Sequence, residues 1–179
     1  TYPEKICVID EEAKNMIIEK FPELADAIEV TGQPAFDRFA HEDTKKIASE
    51  VKKELGINPE EKLVAFMSAM EGLEPVRKIA EELSKVKGKF KFVFRIHPRD
   101  NTPFAEYEQE FKSCGIDCIE TMQMPTDRIG AASDLVSTTT STEGLHAICR
   151  VKPSINIIDP RVVEVAAPPS IKLGASVGV

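Results

Sequence analysis

Leu135-Val136-Ser137-Thr138-Thr139-Thr140-Ser141-Thr142-Glu143-Gly144-Leu145-His146-Ala147 begins as a short β-rich apolar run and ends as a helical pattern, with hydroxyl side chains in unbroken succession at the junction. A strand that passes straight into a helix is the repeating unit of an α/β sheet, and open sheets of this kind bind ligands beyond the carboxyl ends of their strands. The first turn of a helix leaves backbone N–H groups without partners and carries the positive end of the macrodipole, so a phosphate placed there is held without a formal cation. The hydroxyls of Thr139, Thr140, Ser141 and Thr142 add donors. Thr140 and Glu143 also fit a Thr-x-x-Glu capping box, which would make that pair helix stabilisers alone. One cap requires fewer hydroxyls than this run supplies, which favours a ligand.

The same alternation extends in both directions. Upstream, Ile6–Ile9 reads as a strand, Asp10 caps a helix that runs to about Lys20, and a second strand at Ile28–Val30 stops at the turn Thr31-Gly32-Gln33-Pro34. A helix from Asp43 to Leu55 carries Ile47, Val51 and Leu55 at helical spacing, with Gly56 as its C-terminal cap. Strands follow at Leu63–Met67, Phe90–Ile96, Asp117–Ile119, Asp134–Ser137 and Ser154–Ile158. Helices fall between them: one carries Val76, Ile79, Ala80 and Leu83, and the others span about Phe104–Lys112, Thr126–Ala132 and Glu143–Cys149. The tail after Asp159, with Pro160, Pro168 and Pro169, reads as irregular. The predicted fold is α/β, a three-layer Rossmann-like parallel sheet with helices on both faces.

With 179 residues, 42% hydrophobic and 30% charged, the composition is that of a globular domain, and no apolar run approaches the ~20 residues of a membrane helix. The formal net charge of -7 argues against nucleic-acid binding, which needs a concentrated Lys/Arg face. A small anionic ligand needs only a few local donors. Cys7, Cys114, Cys118 and Cys149 match no zinc or redox spacing and are expected to be reduced in a cytoplasmic protein; with three histidines in all, no metal site is expected. Thr1-Tyr2-Pro3-Glu4 lacks the features of a signal peptide, and a start other than Met is expected to reflect a longer parent.

Two further strand ends carry chemistry. Phe94-Arg95-Ile96-His97-Pro98-Arg99-Asp100 places Arg95, His97 and Arg99 together, which suits phosphate binding and proton transfer by His97, or a solvated strand end. Ser68-Ala69-Met70-Glu71-Gly72 is a loop of mostly small residues where a substrate could approach the backbone, or a plain βα turn. Met124-Pro125 could contact a base or pack in the core.

Taken in order, these pieces resemble the C-terminal domain of GT-B-fold proteins, specifically non-hydrolysing UDP-N-acetylglucosamine 2-epimerase and related glycosyltransferases. Val30-Thr31-Gly32-Gln33-Pro34-Ala35-Phe36-Asp37 is similar to that family's V-T-G-N-P-x-x-D hinge, and Ile96-His97-Pro98-Arg99 to its H-P strand end. Ser133 to Ala147 with Lys152-Pro153-Ser154-Ile155-Asn156-Ile157 is similar to its A-D-x-V-x-T-D-S-G-G-x-x-E-E-A motif and the following G-K-P-V. The resemblance implies that residues 1–30 end a preceding domain and that 31–179 form a nucleotide-sugar-binding domain. It implies a catalytic part for His97, a diphosphate at the small-residue loop and ribose hydroxyls on Glu143. Ser68, Arg95, Arg99 and Met124 complete the expected substrate-binding set with Thr139, Thr140, Ser141 and Thr142. The family's Asp-Ser-Gly-Gly is Thr139-Thr140-Ser141-Thr142 here, and Ser68-Ala69-Met70-Glu71 replaces its H-R-x-E-N.

The expected partner is a nucleotide-sugar, a UDP-sugar above all, taken as substrate with no cofactor, beside an N-terminal domain of the same protein. A homo-oligomer is left open. The alternatives are a non-catalytic nucleotide-binding or regulatory module of the same fold, a glycerol-phosphate polymer transferase, and a flavodoxin-like domain with the Ser/Thr run around a flavin phosphate.

Overall fold

A computed structural model describes residues 3–158, 160 and 168–179. Backbone contacts divide the chain into two units, Thr1–His41 and Glu42–Val179. In the first, β1 (Ile6–Val8) and β2 (Ile28–Val30) pair in parallel, Ile6 opposite Ile28 and Val8 opposite Val30. They are joined through α1 (Glu11–Lys20), which Asp10 caps by accepting the Ala13 amide at 2.7 Å. Glu11 and Glu12 in the first turn and Lys20 in the last complement the helix dipole. A 3-10 helix at Pro34–His41 follows β2 and buries Phe39.

The second unit opens with α2 (Thr44–Glu54), capped by Asp43 on the Lys46 amide at 3.0 Å. Gly56 stands just beyond that helix at φ 67°, where the Ile57 amide reaches back to the Lys52 carbonyl at 2.8 Å. This closing turn requires the left-handed conformation that glycine adopts without strain. There follow β3 (Lys62–Met67), α3 (Leu73–Leu83), β4 (Phe90–Arg95), α4 (Phe104–Ser113) and β5 (Cys118–Ile119). Next come α5 (Thr126–Ala132), β6 (Leu135–Thr138), α6 (Glu143–Cys149), β7 (Ser154–Asn156), α7 (Pro169–Lys172) and β8 (Val177–Gly178).

The sheet order is β5-β4-β3-β6-β7-β8 and every pairing is parallel. The chain winds outward from β3 to β5, then crosses back to β6 and winds the other way. Right-handed crossovers in opposite directions put helices on opposite faces. On one face Phe66, Phe92 and Phe94 pack with Val76 and Ile79 of α3 and with Tyr107 and Phe111 of α4. On the other, Leu63, Ala65, Met67, Val93 and Val136 pack with Val51 of α2, Ile129 of α5 and Ala147 of α6. The alternation along β3 feeds both cores, which is why that strand carries an almost continuous apolar run.

Several sequence expectations change: β1 ends at Val8 rather than Ile9, β5 begins at Cys118 rather than Asp117, and β6 spans Leu135–Thr138 rather than 134–137. β4 ends at Arg95 rather than Ile96, and β7 at Asn156 rather than Ile158, because the pairing of Thr138 with Asn156 is the last between β6 and β7. The tail is not wholly irregular: α7 and the edge strand β8 fold there, although residues 159 and 161–167 lie outside the described part. A Cβ on Gly178 would come within 2.9 Å of the tip of the Ile171 side chain and 3.0 Å of that of Ile158, so a larger residue there would require those side chains to shift.

At the end of α6, Val151 sits at φ 57° while the Lys152 amide bonds to the Ala147 carbonyl at 2.9 Å. This is the position that glycine usually fills, and a β-branched residue there is strained. Val151 is 92% exposed, so its side chain adds little packing. Val151→Gly is expected to stabilise the unit by about 1 kcal/mol, the relief of strain exceeding the entropy cost of glycine. Urea denaturation checks this, and an unchanged or lower midpoint contradicts it.

Candidate functional site

The point where the strand order reverses lies between β3 and β6, and the crevice at such a switch point is where open α/β sheets take ligands. Register places Met67 beside both Arg95 and Thr138, so the loops after β3, β4 and β6 leave the sheet at one edge. Their polar groups are extensively bonded. Thr138 donates its hydroxyl to the Met67 carbonyl at 2.8 Å and accepts the Ser141 amide at 3.0 Å, which folds the hydroxyl loop back over the strand end.

α6 starts at Glu143 with Thr142 as its N-cap, and Thr142 makes no side-chain cap bond. The Thr140–Glu143 capping box is therefore not formed. Ser141 does that work: its hydroxyl accepts the Glu143 amide at 3.4 Å and its carbonyl the Gly144 amide at 3.2 Å. Two first-turn amides expected to face a ligand thus have protein acceptors, while Thr140 and Thr142 are exposed.

The loop after β3 turns on a residue that the sequence reading left without a role. Glu71 accepts the Ser68 hydroxyl at 2.6 Å, the Ala69 amide at 2.9 Å and the Thr139 hydroxyl, so one carboxylate ties the β3 loop to the β6 loop. The available signal was Ser68-x-x-Glu71 after a strand, the pattern of a hydroxyl and carboxylate closing on each other. Met70 at φ 78° and Gly72 at φ 83° flank Glu71 in this loop, and only the second is a residue suited to that conformation.

After β4, Arg95 is buried and donates Nη1 to the Thr121 carbonyl, but its Nε has no hydrogen-bond partner among the described residues. Burial lowers its pKa, against the field of Glu143, which raises it. His97 is half-buried, and its Nδ1 accepts the Arg99 amide at 3.1 Å, so a neutral ring carries its proton on Nε2. The Arg99 side chain is exposed. Asp100 fixes this turn by accepting the Tyr107 hydroxyl at 2.6 Å and the Thr102 amide at 2.9 Å. Burial and that Asp100 bond push the Tyr107 phenol up to about 12.

Glu143 stands at the centre of a second polar group. Its Oε1 lies 3.0 Å from His146 Nδ1, and its Oε2 is buried with no hydrogen-bond partner among the described residues. Gly130 of α5 makes room for it, since a Cβ there would lie 3.2 Å from Oε2. His146 is also 3.8 Å from Asp127, and the buried Arg150 reaches Asp127 at 3.5 Å and Glu42 at 2.6 Å. Burial opposes the Arg150 charge, but the Glu42 bond and the Asp127 and Glu143 carboxylates outweigh it and hold its pKa above the ordinary value. Ligand atoms of Asp127, Glu143 and His146 lie within 4.8 Å of one another, a spacing compatible with a metal, but Arg150 already supplies a cation to the same carboxylates.

The structure therefore gathers Ser68, Arg95, Thr139 and Ser141 at or behind one edge, with Glu143 within electrostatic reach of Arg95. Met124 is buried in the core with Val51, Ile129 and Ala132. A groove of about 490 Å³ lies elsewhere, between the sheet and α3, and is lined by Val64, Phe66, Ile79, Leu83, Phe92 and Leu135. It lacks the convergent donors that orient a polar ligand, so it is not the candidate site.

No protein-family model matches this sequence, nor does any curated protein sequence. Solved structures do. UDP-GlcNAc 2-epimerase from Neisseria meningitidis, solved bound to UDP-GlcNAc, is 20% identical with a TM-score of 0.64 over 97% of this chain and 48% of its own. A glycosyltransferase from Rickettsia africae is 13% identical with a TM-score of 0.59 over 87% of this chain and 44% of its own. The wall teichoic acid polymerase TagF is 12% identical with a TM-score of 0.58 over 88% and 39%. The chain thus spans about half the length of these proteins or less, no membrane-length apolar helix occurs among its described residues, and its fold is the Rossmann-like α/β fold of GT-B proteins.

Proposed function

We propose that the unit Glu42–Val179 binds a nucleotide sugar, a UDP-sugar, and supplies that half of a glycosyltransferase or sugar-nucleotide epimerase whose other half is a preceding domain. The observation that carries this reading is a pair of buried polar atoms, Arg95 Nε at the end of β4 and Glu143 Oε2 at the start of α6, that have no hydrogen-bond partner among the described residues. Buried polar groups are ordinarily hydrogen-bonded, so orphaned donors and acceptors at a ligand-binding edge point to a polar ligand. The fold shared with UDP-GlcNAc 2-epimerase, solved bound to UDP-GlcNAc, supports a nucleotide sugar as that ligand.

In this reading Glu143 accepts the ribose hydroxyls through Oε2. Arg95 and Arg99 face the negative charge of the diphosphate, and Ser68 with Thr139, Thr140, Ser141 and Thr142 contribute hydroxyl donors. His97 offers Nε2 toward the reacting sugar, because its Nδ1 is already engaged.

Calorimetric titration with UDP, UDP-GlcNAc and CDP tests the reading. Saturable heat is expected with UDP and UDP-GlcNAc and a weaker signal with CDP. No heat from any of the three at millimolar ligand overturns it.

A further inference from the structure

Three donors from two different strand ends converge on the Glu71 carboxylate: the Ser68 hydroxyl, the Ala69 amide and the Thr139 hydroxyl. Two of these belong to the residues that a phosphate would be expected to use, and all three lie at the switch point of the sheet. A carboxylate and a phosphoryl group ask the same of a site, since each presents charged acceptor oxygens to N–H and O–H donors at similar distances. We propose that these donors form a phosphoryl subsite, which Glu71 fills in this structure and must leave when a nucleoside diphosphate binds. The proposal rests on the nucleotide reading above and adds to it a gate and the location of a phosphate.

The donors are few, and two anions cannot share them without mutual repulsion. The nearby first-turn amides of Glu143 and Gly144 are already taken by Ser141, so they do not offer an alternative seat. The Glu71 side chain is long and half-buried, and its backbone is flanked by Met70 at φ 78° and Gly72 at φ 83°. It can leave by side-chain rotation while the strands stay in place. Ser68 would keep its backbone bond to the Arg95 carbonyl at 3.0 Å, so the subsite would persist after Glu71 leaves.

The alternative is a purely positioning role, in which Glu71 holds Ser68 and Thr139 ready for the ligand. The two predict opposite signs. Glu71→Ala and the near-isosteric Glu71→Gln are titrated with UDP and with uridine, alongside the unsubstituted chain, and thermal unfolding by circular dichroism confirms that each variant is folded. Removing the competing charge is expected to tighten UDP binding about tenfold or more while leaving uridine, which has no phosphate, unchanged. Should Glu71→Ala not fold, Glu71→Gln carries the test. UDP binding that is unchanged or weaker in the variants, with normal binding by the unsubstituted chain, overturns the proposal and leaves the nucleotide reading intact. Silence toward UDP from the unsubstituted chain and both variants overturns both.

Discussion

Phe94→Ala is expected to destabilise the Glu42–Val179 unit by about 3–5 kcal/mol, the cost of emptying an aromatic site that cannot collapse. Phe94 is fully buried, and its ring lies 5.7 Å from Phe66, 4.9 Å from Tyr107 and 5.2 Å from Phe111. These partners come from β3 and α4, so the void would open where the sheet meets its helical layer. Total stabilities of single domains are about 5–15 kcal/mol, which makes this loss large enough to populate the unfolded state. Urea denaturation measures it as a fall in midpoint at constant slope. A loss below about 1 kcal/mol would mean that α3 and α4 repack, and that this aromatic cluster does not hold the sheet to the layer.

Glu143→Ala is expected to weaken UDP binding roughly ten- to a hundredfold, since hydrogen bonds to a charged group contribute about 1.5–3 kcal/mol. Glu143→Gln keeps an acceptor oxygen without the charge and should fall between. The stability change should be smaller than the binding change, because the hydrogen bond of this side chain among the described residues is to His146, one helical turn away. If both variants bind UDP within twofold of the unsubstituted chain while the unfolding midpoint drops, Glu143 serves α6 alone. The orphaned Oε2 would then belong to the network of Asp127, His146 and Arg150.

Much of the architecture was legible because local signals agreed with one another. Asp10 caps the helix expected after it, the helix expected from Asp43 starts at Thr44 with Asp43 as its cap, and Gly56 ends α2 in the left-handed turn expected of it. α5, α6 and β2 occupy the residues expected of them, between turn and loop signals on either side. Errors gathered where a boundary depends on a neighbour. β7 stops where β6 has no further residue to pair, and β8 is a strand only because Ile155 and Asn156 offer it an edge. A short polar-flanked pair such as Val177-Gly178 has no periodicity to read.

The site divides in the same way. Hydroxyl residues after β6 and cations after β4 could be seen in one dimension, since their residue types alone indicate anion chemistry. Which of those hydroxyls already has a partner could not be. Ser141 rather than Thr140 supports α6 because the chain reverses over Thr138, and the Thr139 hydroxyl goes to a carboxylate 68 residues away. The alternation of strands and helices, the Asp10 cap of α1, the Gly56 turn that ends α2 and the polar strand ends were legible in one dimension, all set by interactions within a few residues. Tertiary contacts were needed to set β6 beside β3, to close Glu71 on Thr139, and to leave Arg95 and Glu143 each with a buried polar atom that has no partner among the described residues. Those outcomes depend on loop closure across long stretches of chain and on which buried groups find partners, and neither is written in local propensity.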